Sequence, residues 1–153
     1  MSVLPELQFA FTAFVAIGAP LEVGPVSTGR RRIIPILGGT VSGPRLTGTV
    51  LPGGADWQIV RADGTAELVA RYTLQAEDGT LISVVNTGLR RGPPAVLARL
   101  AAGEQVDPSD YYFRATPVFQ VGPGPHAWLG DTIFVATGER QQKQVVIRVF
   151  SVT

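Results

Sequence analysis

The chain predicts an all-β protein, a single, mostly antiparallel, closed β-barrel of about nine or ten strands with one short helix. Three observations carry that reading. Turn signals recur at Pro52-Gly53-Gly54, Asp63-Gly64, Asp78-Gly79, Gly122-Pro123-Gly124-Pro125 and Gly138-Glu139, and the runs between them are rich in β-branched and aromatic residues. The 153 residues include 18 Gly and 12 Pro and are 45% hydrophobic, which suits short apolar strands joined by tight turns better than a helical bundle. So many strands in one small unit favour curling and closure, which removes exposed edges. Residues 1–153 show no internal repeat or linker composition, so one domain is expected.

In chain order, Gln8–Ile17 reads as the first strand. Its apolar run has no basic leader before it and is too short to span a bilayer, so neither a membrane segment nor a secretory signal is expected. Arg32–Leu37 and Arg45–Leu51 follow as strands. Trp57–Ala62, Thr65–Gln75 and Thr80–Arg91 form an antiparallel meander, because Asp-Gly accepts the positive backbone angles of tight hairpins. Pro93-Pro94 then opens a helix over Ala95–Gly103: Pro sits at its start, Leu97, Leu100 and Ala101 share a face, and Gly stops it. This helix plugs or flanks the barrel. Tyr111–Val121, Thr132–Gly138 and Gln144–Val152 complete the strands.

Charge and composition exclude several classes. Lys plus Arg number 13 against 12 Asp plus Glu, so no overall field recruits nucleic acid or an anionic membrane. Arg30-Arg31-Arg32 reads as a solvated loop or strand entry, with no aromatic platform nearby to stack bases. Cysteine is absent, which removes disulfides, thiolate chemistry and Cys-based zinc sites and fits a cytoplasmic location. His126 is the single histidine and no spaced acidic loop is present, so no metal is expected. Gly39-Thr40-Val41-Ser42-Gly43 misses the spacing of a nucleophile elbow, and Gly38-Gly39 leads into neither a phosphate cradle nor a dinucleotide fingerprint, so no cofactor is expected.

Alternation supplies the candidate site, since residues two apart in a strand share a face. Glu67, Val69, Arg71 and Thr73 share one face; so do Ile82, Val84, Asn86, Gly88 and Arg90, and so do Tyr112, Arg114 and Thr116. Arg71 or Arg114 pairing an anion, Trp57, Tyr112 or Trp128 packing a ring, and Asn86 hydrogen bonding would form a lumen for a small ligand. For acid–base chemistry the first groups to test are His126, whose ordinary pKa lies near neutrality, Asp56, and Tyr112 beside Tyr111. Asp56 and Gln58 share a face opposite Trp57 and Ile59.

Taken in order, Gly38-Gly39, Leu51-Pro52-Gly53-Gly54-Ala55-Asp56-Trp57, Ala70-Arg71-Tyr72, Asp78-Gly79, Val85-Asn86-Thr87-Gly88, Tyr111-Tyr112-Phe113-Arg114 and Trp128-Leu129 resemble domain of unknown function 3237, also called uncharacterised protein family 0311. The resemblance covers nearly the whole chain and implies a bacterial, cytoplasmic, often oligomeric β-barrel. It also implies an acid where Val69 stands and an Asn where Gly130 stands, two departures that would matter if those positions shape the pocket.

The expected function is binding of a small, partly apolar or anionic metabolite in the lumen. Two alternatives stand beside it: a cofactor-free isomerase, cyclase, hydratase or lyase using the same cavity on an aromatic or carbonyl metabolite, and a structural or oligomerisation module. A homo-oligomer is expected.

Overall fold

A computed structural model of the chain describes residues 3–153. Ten strands follow one another as β1 (Leu7–Ile17), β2 (Leu21–Val26), β3 (Gly29–Ser42), β4 (Gly48–Val50), β5 (Gly54–Val60), β6 (Ala66–Ala76), β7 (Leu81–Arg91), β8 (Tyr112–Gln120), β9 (Phe134–Arg140) and β10 (Gln144–Val152). The helix α1 (Pro94–Ala101) lies between β7 and β8, and short 3-10 turns cover Pro108–Asp110 and Ala127–Asp131.

The sheet is antiparallel and closes on itself because β1 pairs with both β10 and β3. Eight strand positions make the barrel, with β4 and β5 sharing one position and β2 extending β3. The meander of β5, β6 and β7 forms as the Asp-Gly turns predict. Each turn aspartate accepts a hydrogen bond from the backbone amide two residues on, Asp63 from Thr65 at 2.9 Å and Asp78 from Thr80 at 3.0 Å.

Three local readings change. The Pro52-Gly53 corner does not turn one barrel strand into the next: β4 pairs Gly48 with Ala76 while β5 pairs Ala55 with Arg71, so both run along β6 and the corner is a bulge within one strand position. The strand expected at Arg32–Leu37 runs from Gly29 to Ser42 and changes neighbours midway, from β5 to β1 and β4. It bends at Gly38-Gly39; Gly39 has φ +148°, and a Cβ there would lie 1.9 Å from the Phe14 carbonyl oxygen. β2 was not expected at all.

Inward side chains divide the barrel into two ends. At the lower end the rings of Phe11 and Phe119 meet edge-to-face at 5.8 Å, and Phe119 and Phe134 at 5.0 Å. Leu74, Ile82, Val84 and Leu129 are buried around them, and Trp128 tilts against Phe134 at 5.7 Å. The Ala127–Asp131 turn, which carries Trp128 and Leu129, closes this end. At the upper end α1 flanks the opening, as expected.

Candidate functional site

Facing positions in the upper half carry little or no side chain. Gly88 on β7 pairs with Ala115 on β8, which pairs with Ala136 on β9, and Ala70 on β6 pairs with Asn86. At Gly138 a Cβ would come within 2.5 Å of the Phe113 ring, so that ring occupies the room a side chain would take. The result is a lumen cavity of about 50 Å³, lined by Asp56, Gln58, Tyr72, Asn86, Arg90 and Arg140 among apolar neighbours. Above it lies a vestibule of about 600 Å³ between the β2–β3 ribbon and α1, bordered by Arg32, Val60, Leu97 and Leu100. Arg90 and Arg140 line both spaces and form the neck between them.

Polar groups in the lumen are short of donors. Gln58 is buried and donates from Nε2 to Asp56 Oδ2 at 2.9 Å. Asp56 Oδ1, Gln58 Oε1 and Asn86 Oδ1 are all buried without a hydrogen-bond partner. Unpaired buried acceptors cost about 1–3 kcal/mol each, so three at one place are a concentrated, unmet demand for donors. Burial holds the Asp56 carboxyl above the ordinary carboxylate range, against the opposing pull of the Gln58 amide and of the Arg90 and Arg32 guanidiniums. Burial also pushes the Tyr72 phenol up, so it remains protonated throughout the neutral range.

The neck has the opposite imbalance. Among the described residues Arg90 has no ion-pair partner, and its guanidinium lies 6.0 Å above the Phe113 ring. Desolvation, with Arg140 and Arg32 nearby, pushes its pKa down from 12.5 to about 10. A guanidinium stays protonated at neutral pH, so this shift expresses the cost of an unneutralised charge, on the order of 3 kcal/mol and less where water reaches the neck. Arg140 is held low by the same two causes, desolvation and Arg32. Its backbone amide donates to the Tyr111 hydroxyl at 2.9 Å, which ties β9 to the start of β8. Arg32 Nε lies 3.4 Å from the Glu22 carboxylate, within ion-pair reach, but makes no hydrogen bond to it.

Of the residues singled out from the sequence, Asp56 and Asn86 line the lumen. The remainder do not join them. Trp57, 36% exposed, and Tyr112, 39% exposed, point outward, as do Arg71 and Arg114, because their strand parity is opposite to that of Asp56, Asn86 and Phe113. Tyr112 instead lies between two outer guanidiniums, Arg91 at 4.4 Å and Arg114 at 5.5 Å from its ring. Trp128 belongs to the closed end, with Arg45 stacked 3.7 Å above it. His126 sits near that end too, its Nε2 3.0 Å from Asp78 Oδ2. Nor do the two family departures shape the lumen: Val69 is on the outer face of β6, and Gly130 is in the turn that closes the lower end.

Sequence reasoning passed over the three neck arginines. Arg90 shares its strand face with Asn86, and that was the available signal. Arg140 ends a strand, and Arg32 belongs to the run read as solvated; it is indeed a strand entry, but one that turns its third arginine toward the neck. Among the described residues no three His, Asp or Glu side chains gather as a metal ligand set, and no helix is long and apolar enough to cross a membrane.

Known proteins share this whole architecture. A UPF0311 protein of Rhodopseudomonas palustris is 44% identical over 147 residues, 96% of each chain, and one of Clostridium acetobutylicum is 38% identical over 144 residues, 94% of this chain and 91% of its own. The crystal structure of a conserved Rhodopseudomonas palustris protein of unknown function superposes with a TM-score of 0.96 at 42% identity, covering 99% of this chain and 100% of its own. A β-barrel-like protein of Acinetobacter baumannii gives 0.87 at 37%, covering 100% and 99%. An enzyme from Penicillium herquei gives 0.74 at 19% over 100% and 98%, a likeness of fold alone. The model for the family described as protein of unknown function (DUF3237) matches residues 5–152, and the chain belongs to that family.

Proposed function

We propose that the protein is a cytoplasmic β-barrel that binds a small, partly apolar, anionic metabolite at the open end of its lumen. The observation that carries this reading is that Arg90, half-buried and without an ion-pair partner among the described residues, lines the same lumen as three orphaned acceptors. A bound anion would neutralise the neck, and its hydrogen-bond donors would satisfy the acceptors. The test is thermal shift and calorimetry against a broad panel of small carboxylates and neutral analogues. Stabilisation by carboxylates and not by their amides supports the reading, whereas a panel that leaves the melting temperature unchanged removes it.

A cofactor-free enzyme in the same cavity is the second reading, and the Asp56 carboxyl favours it, since burial raises its pKa and makes it a better proton acceptor for a bound ligand. Neither His126 nor Tyr112 lies where it would assist. Turnover of any bound carbonyl metabolite that survives Asp56→Asn would dispose of this mechanism.

The outer face supports self-association. Trp57 on β5, Leu89 on β7, and Tyr112 and Val118 on β8 are 36%, 37%, 39% and 62% exposed. Sedimentation of the full chain as a monomer at micromolar concentration would exclude a stable oligomer.

A further inference from the structure

We infer that the ligand is an α-hydroxycarboxylate with an apolar tail, its carboxylate at the Arg90, Arg140 and Arg32 neck, its hydroxyl against Asp56, Gln58 and Asn86, and its tail in the vestibule beneath α1. This rests on the lumen-binding reading above.

Size sets the orientation. The lumen offers about 50 Å³, about a third of the ~150 Å³ that encloses a benzene molecule, so a bulky apolar body cannot point inward. The vestibule offers about 600 Å³, and although Glu22, Arg30 and Arg32 make one side of it polar, Val60, Leu97 and Leu100 give it an apolar wall beneath α1. A small polar head inside and an apolar tail outside is the arrangement both volumes accept.

Charge and hydrogen bonding set the head. The orphaned lumen atoms Asp56 Oδ1, Gln58 Oε1 and Asn86 Oδ1 are all acceptors, so the head must donate. Three guanidiniums already border the neck, and an ammonium would add a fourth positive charge beside them; a neutral hydroxyl donates without that repulsion. Cations and acceptors also stand close together. Arg32 is directly opposite Gln58 in the β3–β5 ladder, and the Arg90 side chain lines the same 50 Å³ cavity as Asp56 and Asn86. The anion and the donor of the ligand must therefore be neighbours, which places the hydroxyl on the carbon next to the carboxylate.

Calorimetric titration of the full chain with α-hydroxyisocaproate, isocaproate, leucine and lactate separates the elements of this assignment. The expected order has α-hydroxyisocaproate tightest. Isocaproate is about tenfold weaker through the unsatisfied acceptors, and leucine is weaker through its ammonium. Lactate loses the tail contact, and Leu97→Ala narrows its gap to α-hydroxyisocaproate. Arg90→Met, whose fold is checked by its melting curve, removes binding of all the acids. Isocaproate binding as tightly as its hydroxy analogue, with that binding lost in Arg90→Met, overturns the hydroxyl assignment and leaves the anion reading standing. Leucine binding most tightly overturns the neutral-donor argument. If none of the four binds while other anions of the broad panel stabilise the protein, this inference fails alone; a silent panel sinks both.

Discussion

The two ends of the barrel are built from the same strands with the same inward parity, yet they are opposites. At the lower end, Phe11, Phe119, Phe134 and Leu129 fill the space to the density of a protein core, and the nearby cation, Arg45, rests on the outer surface of Trp128. At the upper end, Ala70, Gly88 and Ala115 leave a gap, and the charges bordering it are three guanidiniums, the partly buried Asp56 and, at the vestibule rim, Glu22 beside Arg32. Side-chain volume and charge, not backbone topology, make the difference. The closed end supplies stability, whereas the open end carries polar groups without partners, and the proposed ligand site rests on that contrast.

Breaking the closed end should have the largest effect. Phe134→Ala removes a fully buried ring from the edge-to-face cluster and should cost about 3–5 kcal/mol in urea unfolding. Carboxylate affinity of the folded fraction should change little. Filling the open end comes next. Gly138→Val forces side-chain atoms into the Phe113 ring, and it should cost about 1–3 kcal/mol while abolishing ligand-induced stabilisation.

The contrast between the ends was only half legible in the sequence. Asp63-Gly64 and Asp78-Gly79 located β6 and β7 to within one residue at each end, because a turn with its own side-chain hydrogen bond is a local device. β2 escaped notice because Gly24 and Pro25 interrupt any alternation, and it exists through its pairing with β3. The site suffered from a different ambiguity. Parity shows which residues share a face, but of β6, β7 and β8 only β7 carries polar residues on its inward face; on β6 and β8 the inward face is the apolar one, so a lumen sought on the polar face lands outside the barrel. Asp56 and Asn86 do line the lumen, while Arg71, Arg114, Trp57 and Tyr112, expected there too, face outward. The more informative pattern was Asn86-x-Gly88-x-Arg90: a polar group, a gap and a cation on one inward line.

Smaller effects sharpen the comparison. Burial raises the folded-state pKa of Asp56 above its unfolded value, so the stability associated with its protonated form is present below the ordinary carboxyl pKa and is lost as pH rises through the raised value. Asp56→Asn should therefore flatten the decline of melting temperature across that window, and an unchanged slope would show that this carboxyl is not the group responsible. Arg71→Ala and Arg114→Ala lie on the outer face and should alter stability by less than about 0.5 kcal/mol, with carboxylate binding untouched. Loss of binding in either would place the site outside the lumen.

The central claim is that Arg90 weakens the ligand-free barrel and exists to hold an anion. The most direct measurement compares the melting temperatures of the wild type and Arg90→Met, each with and without a saturating carboxylate. The account predicts that Arg90→Met melts higher than the wild type without ligand and gains nothing when the carboxylate is added. A variant that melts lower without ligand and is still stabilised by the carboxylate as strongly as the wild type would contradict it.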